Sequence, residues 1–174
     1  MTEKTKEHVE VLESAKNSKL LDELNVLFSQ GVDALDPTEL SGSIRGQENI
    51  YHHLNMLIKN AQKSITFVTT GSAFLKEMEA FKTDMESAKK RGVNVSVEVP
   101  HNKQIKEISK SLKFGPIQDT RLLSRFAIID NKEIMFMLLD DSKVHKSYDF
   151  GIWVNSPYFT SCLSNMLSGF LKEN

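Results

Sequence analysis

The sequence predicts an α/β fold: a mixed sheet flanked by helices and preceded by a long amphipathic helix. Three observations lead there. The span from Ser64 to Val99 reads as strand, helix and strand, a βαβ unit that implies a parallel pair with a right-handed crossover. Asp130-Asn131 stands between two β-rich runs, the pattern of a tight hairpin and hence of an antiparallel pair. Helical and strand patterns alternate through most of the chain, as α/β architectures require. With 174 residues there is room for one well-buried domain and an appendage.

Residues 6 to 31 carry Val9, Leu12, Leu20, Leu24 and Leu27 at three- and four-residue steps, with Leu21 and Phe28 beside them. This is an amphipathic helix, interrupted at Lys16-Asn17-Ser18-Lys19 and stopped at Gly31. Segment 1–32 is therefore read as a coiled-coil-like helix, 33–43 as a connector and 44–174 as the α/β domain. The connector rests on Asp36-Pro37 and Ser41-Gly42-Ser43, residues that favour turns. A second helix starts near Gln47 and turns Ile50, Leu54, Leu57 and Ile58 inward. Ser64 to Thr70 is β-rich and ends at Gly71-Ser72; Ser72 is placed to cap the next helix. That helix turns Leu75, Met78, Phe81 and Met85 inward and ends in Lys89-Lys90-Arg91-Gly92, cations then glycine suiting a helix C-terminus. Val93 to Val99 alternates with period two before Pro100, and a short helix follows over Lys103 to Ser111. Ser124–Ile129, Lys132–Leu139 and Asp149–Val154 are further strands. Tyr158 to Leu171 closes as a helix with Phe159, Leu163, Met166, Leu167 and Phe170 inward.

Composition narrows the function classes. The net charge of -1 supplies no basic excess of the kind nucleic-acid binders show. No apolar run approaches the ~18–20 residues of a membrane span, and the charged start Met1-Thr2-Glu3-Lys4 is no secretory signal. The single cysteine, Cys162, allows no internal disulfide and fits a reducing compartment; among apolar neighbours it reads as a core thiol. A cytoplasmic protein with no membrane partner is expected, and direct DNA binding is not. His52-His53 are adjacent and diverge on a helix, so neither a metal site nor a cofactor is expected.

The stretch Leu123-Ser124-Arg125-Phe126-Ala127-Ile128-Ile129-Asp130 resembles the core of the phospholipase D fold, whose signature reads His-x-Lys-x-x-x-x-Asp. Asp130 falls on its aspartate, Arg125 on its lysine and Leu123 on its histidine. Leucine cannot form the covalent intermediate that nucleophilic catalysis requires. A wider series resembles the effector half of the TrmB family of archaeal transcriptional regulators. It comprises the first helix, Ile44-Arg45-Gly46-Gln47-Glu48-Asn49-Ile50, Ile58 to Ile65, Ala88 to Val95, Ile128-Ile129-Asp130-Asn131 and Gly151-Ile152-Trp153. The resemblance implies a phospholipase-D-like, non-catalytic domain behind a dimerisation helix. The family's winged helix-turn-helix would precede that helix and has no counterpart here, so a regulator's fragment and a stand-alone protein both remain open. The sugar-binding domain of some members has no room either, and a sugar ligand is not implied.

Thr70, Gly71, Ser72, His101, Arg121 and Arg125 form the candidate ligand site. His101 follows a strand at the edge where α/β sheets place ligands; it reads as a contact to an anion or as a surface histidine. Arg121 and Arg125 offer forks for phosphate or carboxylate, or form ion pairs with Asp130 or Asp119. Thr70-Gly71-Ser72 offers amides to an anion, or is a helix cap. Asp140 and Asp141, near His145 and Asp149, read as a solvated loop. Val9, Leu12, Leu20, Leu24 and Leu27 form the dimerisation stripe. A helix of some 25 residues reaches about 37 Å and outruns a small domain, which favours a homodimer over folding back. The function expected is ligand sensing and dimerisation in a TrmB-type regulator, with a small-molecule effector or a regulator as partner. Two alternatives stand beside it: a phosphodiesterase using a displaced His101 or His145, and an adaptor forming heterodimers with full-length regulators.

Overall fold

The computed structural model describes residues 37–172. Val9, Leu12, Leu20, Leu24 and Leu27 lie outside the described residues, with the rest of segment 1–32. The described elements are α1 (Pro37–Leu40), β1 (Ser41–Arg45), α2 (Gln47–Asn60), β2 (Ser64–Val68), α3 (Phe74–Lys90), β3 (Asn94–Val99) and α4 (Lys103–Ser109). They continue with β4 (Ile117–Asp119), β5 (Arg125–Ile129), β6 (Glu133–Met137), a 3-10 turn at Lys146–Tyr148, β7 (Phe150–Asn155) and α5 (Pro157–Lys172). Among the described residues seven strands form one sheet in the order β1-β7-β6-β5-β2-β3-β4. β2, β3 and β4 are parallel. β5 joins β2 antiparallel, and β6, β7 and β1 extend the sheet antiparallel.

Period-two alternation sorts the strand residues onto two faces. Ile65, Phe67, Val95, Val97, Ala127, Ile129, Met135 and Met137 meet α2 and α3 in the main core. Val68, Phe126, Ile128 and Ile134 point the other way and meet Leu163 and Leu167 of α5. Ile50, Leu54, Leu57 and Ile58 of α2 are all buried, as their spacing predicts. α3 ends as expected: Gly92 adopts φ 91°, its N–H donates to the Lys89 carbonyl, and the Val93 N–H donates to that of Ala88. This paired return closes the helix with glycine in the left-handed position.

Several expectations need correction. The connector predicted over 33–43 gives way to a helical turn at Pro37 and to β1 at Ser41. Ser41-Gly42-Ser43 has poor strand propensity, but it pairs residue by residue with Val154, Trp153 and Ile152 of β7, and main-chain pairing at an edge overrides propensity. Ser72 does not cap α3; the Thr70 hydroxyl accepts from the Ala73 N–H instead, at 3.2 Å. Leu75 is 40% exposed, while Phe74 and Glu77 are fully buried. The inward stripe thus runs Phe74, Glu77, Met78, Phe81, Met85, a regular helical series with a carboxylate in it. On α5 only part of the expected face turns inward: Phe159 and Met166 are 44% and 62% exposed, and the Phe170 side chain lies outside those described. Cys162 is exposed rather than a core thiol, because it shares the outer side of α5. β4 was not predicted; it is three residues long and pairs with Val97, Glu98 and Val99. Gly115 lets the chain pass close to β3 just before it, where a Cβ would strike the Val95 carbonyl oxygen.

The β5–β6 hairpin is the turn the sequence predicts. Asp130 and Asn131 both lie in the left-handed region, at φ 54° and 55°, as a type I′ turn demands. The Asp130 carboxylate accepts from the backbone N–H groups of Gln62, Lys63 and Ser64 at 2.9, 2.7 and 2.9 Å, tying the hairpin to the start of β2. Burial pushes this carboxyl up, but the three amides and Lys63 outweigh it and hold it below the usual range. Replacing Asp130 with alanine is expected to cost about 2 kcal/mol at neutral pH. A depressed folded value contributes stability above the unfolded value and loses it as pH falls through the folded one. Urea titrations of both proteins should therefore converge on acidification below about pH 4.

Candidate ligand site

β2 and β3 end at one edge of the sheet, where β5 and β7 begin and β6 ends. Arg125 is the first residue of β5 and points to the α3 side, in phase with Ala127 and Ile129. Its Nε donates to Glu77 Oε1 of α3 at 3.2 Å, and its Nη1 to Asp149 Oδ2, one residue before β7, at 3.1 Å. All three residues are buried, with exposures of 3% for Arg125, 0% for Glu77 and 4% for Asp149. Charges so far from water are tolerated only when paired and hydrogen-bonded. The triad pins α3, β5 and the entry to β7 to one point.

Hydrogen bonds complete the cluster. Thr69, fully buried at the end of β2, donates its hydroxyl to Glu77 Oε2. Burial pushes the Glu77 carboxyl up against the opposing pull of Arg125 and Thr69. For Arg125, burial disfavours the charge, and Glu77 and Asp149 more than restore it. Burial, with Glu77 second, also pushes the Tyr51 phenol up; its oxygen accepts from Gln47 Nε2 at 3.2 Å. Arg125 Nη2 is buried without an acceptor.

Next to the triad lies an open cleft of about 680 Å³. One wall carries Thr70, Gly71, Ser72, Ser124, Arg125 and Asp140; the other carries Phe126, Phe136, Leu138, Leu163 and Leu167. Leu123 stands at its rim, 80% exposed. Thr70 Oγ1 and Ser72 Oγ both donate to Asp141 Oδ1, at 2.9 and 3.2 Å. The hydroxyl pair at the start of α3 thus already holds a carboxylate from the β6–β7 loop.

Of the six candidate ligand residues, Thr70, Gly71, Ser72 and Arg125 converge on the cleft. His101 and Arg121 are not among its lining residues. Arg121 is exposed, and the His101 backbone N–H donates to Asp119 Oδ1 at 2.8 Å, which holds that carboxyl below its usual range. Arg125 pairs with Glu77 and Asp149, not with Asp130 or Asp119, because Asp130 lies at the opposite end of β5. The aspartates of the β6–β7 region are not all solvated: Asp149 is buried and Asp141 is hydrogen-bonded. Glu77 escaped the sequence reading, although it sits three residues after Phe74 and four before Phe81 on an apolar stripe. A carboxylate in such a stripe calls for a buried cation. Among the described residues no three His, Cys, Asp or Glu side chains gather as metal ligands, and no helix is long and apolar enough to cross a membrane.

No family model matches the sequence, and no curated protein matches it. Solved structures do. TrmBL2, an archaeal chromatin protein with a novel mode of DNA binding, is similar at 17% identity and a TM-score of 0.58, over 97% of this chain and 63% of that one. The chain therefore spans less than two thirds of TrmBL2. NucT from Helicobacter pylori is similar at 13% identity and a TM-score of 0.56, over 76% of this chain and 95% of that one. Nuc from Salmonella typhimurium, a phospholipase D family member, gives 14% identity and a TM-score of 0.53, over 75% and 93%. The described domain has the phospholipase-D-like fold, a mixed sheet flanked by helices.

Removing the cation from the triad leaves two buried carboxylates facing each other. Arg125→Met is expected to destabilise the domain by about 3–5 kcal/mol in urea titration. Glu77→Gln keeps the shape and is expected to be far milder. A raised folded value means that Glu77 supports the fold below its unfolded value, near pH 4, and progressively less as pH rises towards the folded one. The Gln variant should therefore gain on the wild type over that rise.

Proposed function

We propose that this chain is a non-catalytic, dimeric ligand-sensing module of the kind found in TrmB-type transcriptional regulators. The observation that carries the reading is the state of the motif positions. Leu123, where the phospholipase D signature has histidine, is a hydrocarbon at the rim of the cleft. Arg125, where it has lysine, is already engaged by Glu77 and Asp149. A site with no nucleophile and a committed cation is suited to binding rather than to covalent chemistry. The likeness to TrmBL2 along nearly the whole chain supports a regulatory setting. Fold alone assigns no function.

In this reading the stripe Val9, Leu12, Leu20, Leu24 and Leu27 joins two copies, and a ligand in the cleft shifts the dimer only by binding its two arrangements unequally. Incubating the full chain with bis-p-nitrophenyl phosphate and with single-stranded DNA should give no turnover above buffer. Turnover that disappears in His101→Ala or His145→Ala would establish the enzyme alternative instead. Light scattering during gel filtration should report a dimer for the full chain and a monomer for a chain starting at Pro37, which spares β1. A monomer in both would remove the assembly role of the first helix. Co-purification only with a winged-helix partner would favour the adaptor.

A further inference from the structure

We propose that the outer face of α5 packs against the same face of a second copy, in an antiparallel helix pair centred on Cys162. It rests on the dimer proposed above and adds a second contact to it. Tyr158, Phe159, Cys162, Asn165 and Met166 are all exposed, Tyr158 at 88% and Met166 at 62%. At about 100° per residue they share one arc of about 120°. Thr160, which is fully buried, and Leu167, which packs on the sheet, lie on the opposite side of the helix.

From Pro157 to Leu171 the sequence holds no charged residue. α3 shows what a solvated helix face ordinarily carries: it turns Lys76, Glu79 and Lys89 to water. A helix without a charged face is built to be covered on both sides, and contiguous exposed apolar groups mark an interaction surface.

Two features select a copy of this chain as the cover. A two-fold contact sets each group near its own counterpart, where any charge would meet its like, and this face has none. The face is also symmetric about Cys162: Tyr158 and Met166 stand four residues to either side, and Phe159 and Asn165 three. Antiparallel helices related by a two-fold axis at Cys162 set Tyr158 against the partner's Met166 and Phe159 against the partner's Asn165. Thioether and aromatic ring attract, and ridges of four-residue steps are the commonest to interlock. The 16 residues of α5 give a face about 24 Å long and 10 Å wide. That falls short of the ~800 Å² per partner of a stable interface, so the contact works alongside the first-helix stripe rather than in its place.

The full chain has one cysteine, so a short bis-maleimide joins two copies only through Cys162, and it should give a covalent dimer on a denaturing gel. Tyr158→Lys and Met166→Glu, both at exposed positions, should each lower the yield at least about fivefold, because each sets a charge against an uncharged face. The two together should recover most of it, because the new charges meet across the two-fold axis. Within one helix they stand two turns, about 12 Å, apart. A dimer by light scattering that does not crosslink overturns the α5 contact and leaves the first-helix dimer standing. Single variants that crosslink as well as the wild type, or a double variant no better than either single one, do the same. A monomeric full chain removes the α5 contact together with the dimer beneath it.

Discussion

One guanidinium organises this domain. Arg125 begins β5, Glu77 lies a turn into α3, and Asp149 precedes β7, so their contacts join three elements that are distant in sequence. Burying a cation with two carboxylates is no easy source of stability, since desolvation cancels much of the attraction. Its value is geometric. Each carboxylate accepts from a different nitrogen of a planar fork, which fixes the direction as well as the distance. Burial raises the Glu77 carboxyl, and Arg125 and the Thr69 hydroxyl oppose that rise by donating to its two oxygens.

From that arrangement follows the character of the cleft. The phospholipase D signature has histidine at the position of Leu123 and lysine at that of Arg125. Here the first is hydrocarbon and the second is engaged. The hydroxyls of Thr70 and Ser72 donate to Asp141, whereas Arg125 Nη2 has no acceptor. The apolar side remains open towards Leu123 and Leu138, which are 80% and 52% exposed.

Much of the fold was legible because local and tertiary preferences agree. Ile50, Leu54, Leu57 and Ile58 mark one helix face, Lys90-Arg91-Gly92 ends α3, and Asp130-Asn131 makes a turn that tolerates left-handed backbone. β1 and β4 were not legible, because Ser41-Gly42-Ser43 and Ile117-Gln118-Asp119 hold their places through main-chain pairing rather than through side-chain pattern. The site was half legible. Thr70, Gly71, Ser72 and Arg125 share an edge that the strand order implies, but the partners of Arg125 come from elements whose approach no spacing reveals. His101 and Arg121 flank that edge in sequence and diverge from the cleft in space, since β4 draws the intervening chain outward along β3.

The state of the Arg125 guanidinium is the point on which these conclusions turn. Its Nε–H resonance in a nitrogen–proton correlation spectrum at neutral pH reports it directly. A group held between Glu77 and Asp149 gives a resolved signal that exchanges slowly with water and moves in Glu77→Gln. The exposed Arg121 provides the fast-exchanging reference in the same spectrum. An Arg125 signal that exchanges as fast as that of Arg121, and is indifferent to Glu77, would mean a free cation at the cleft and would contradict the triad.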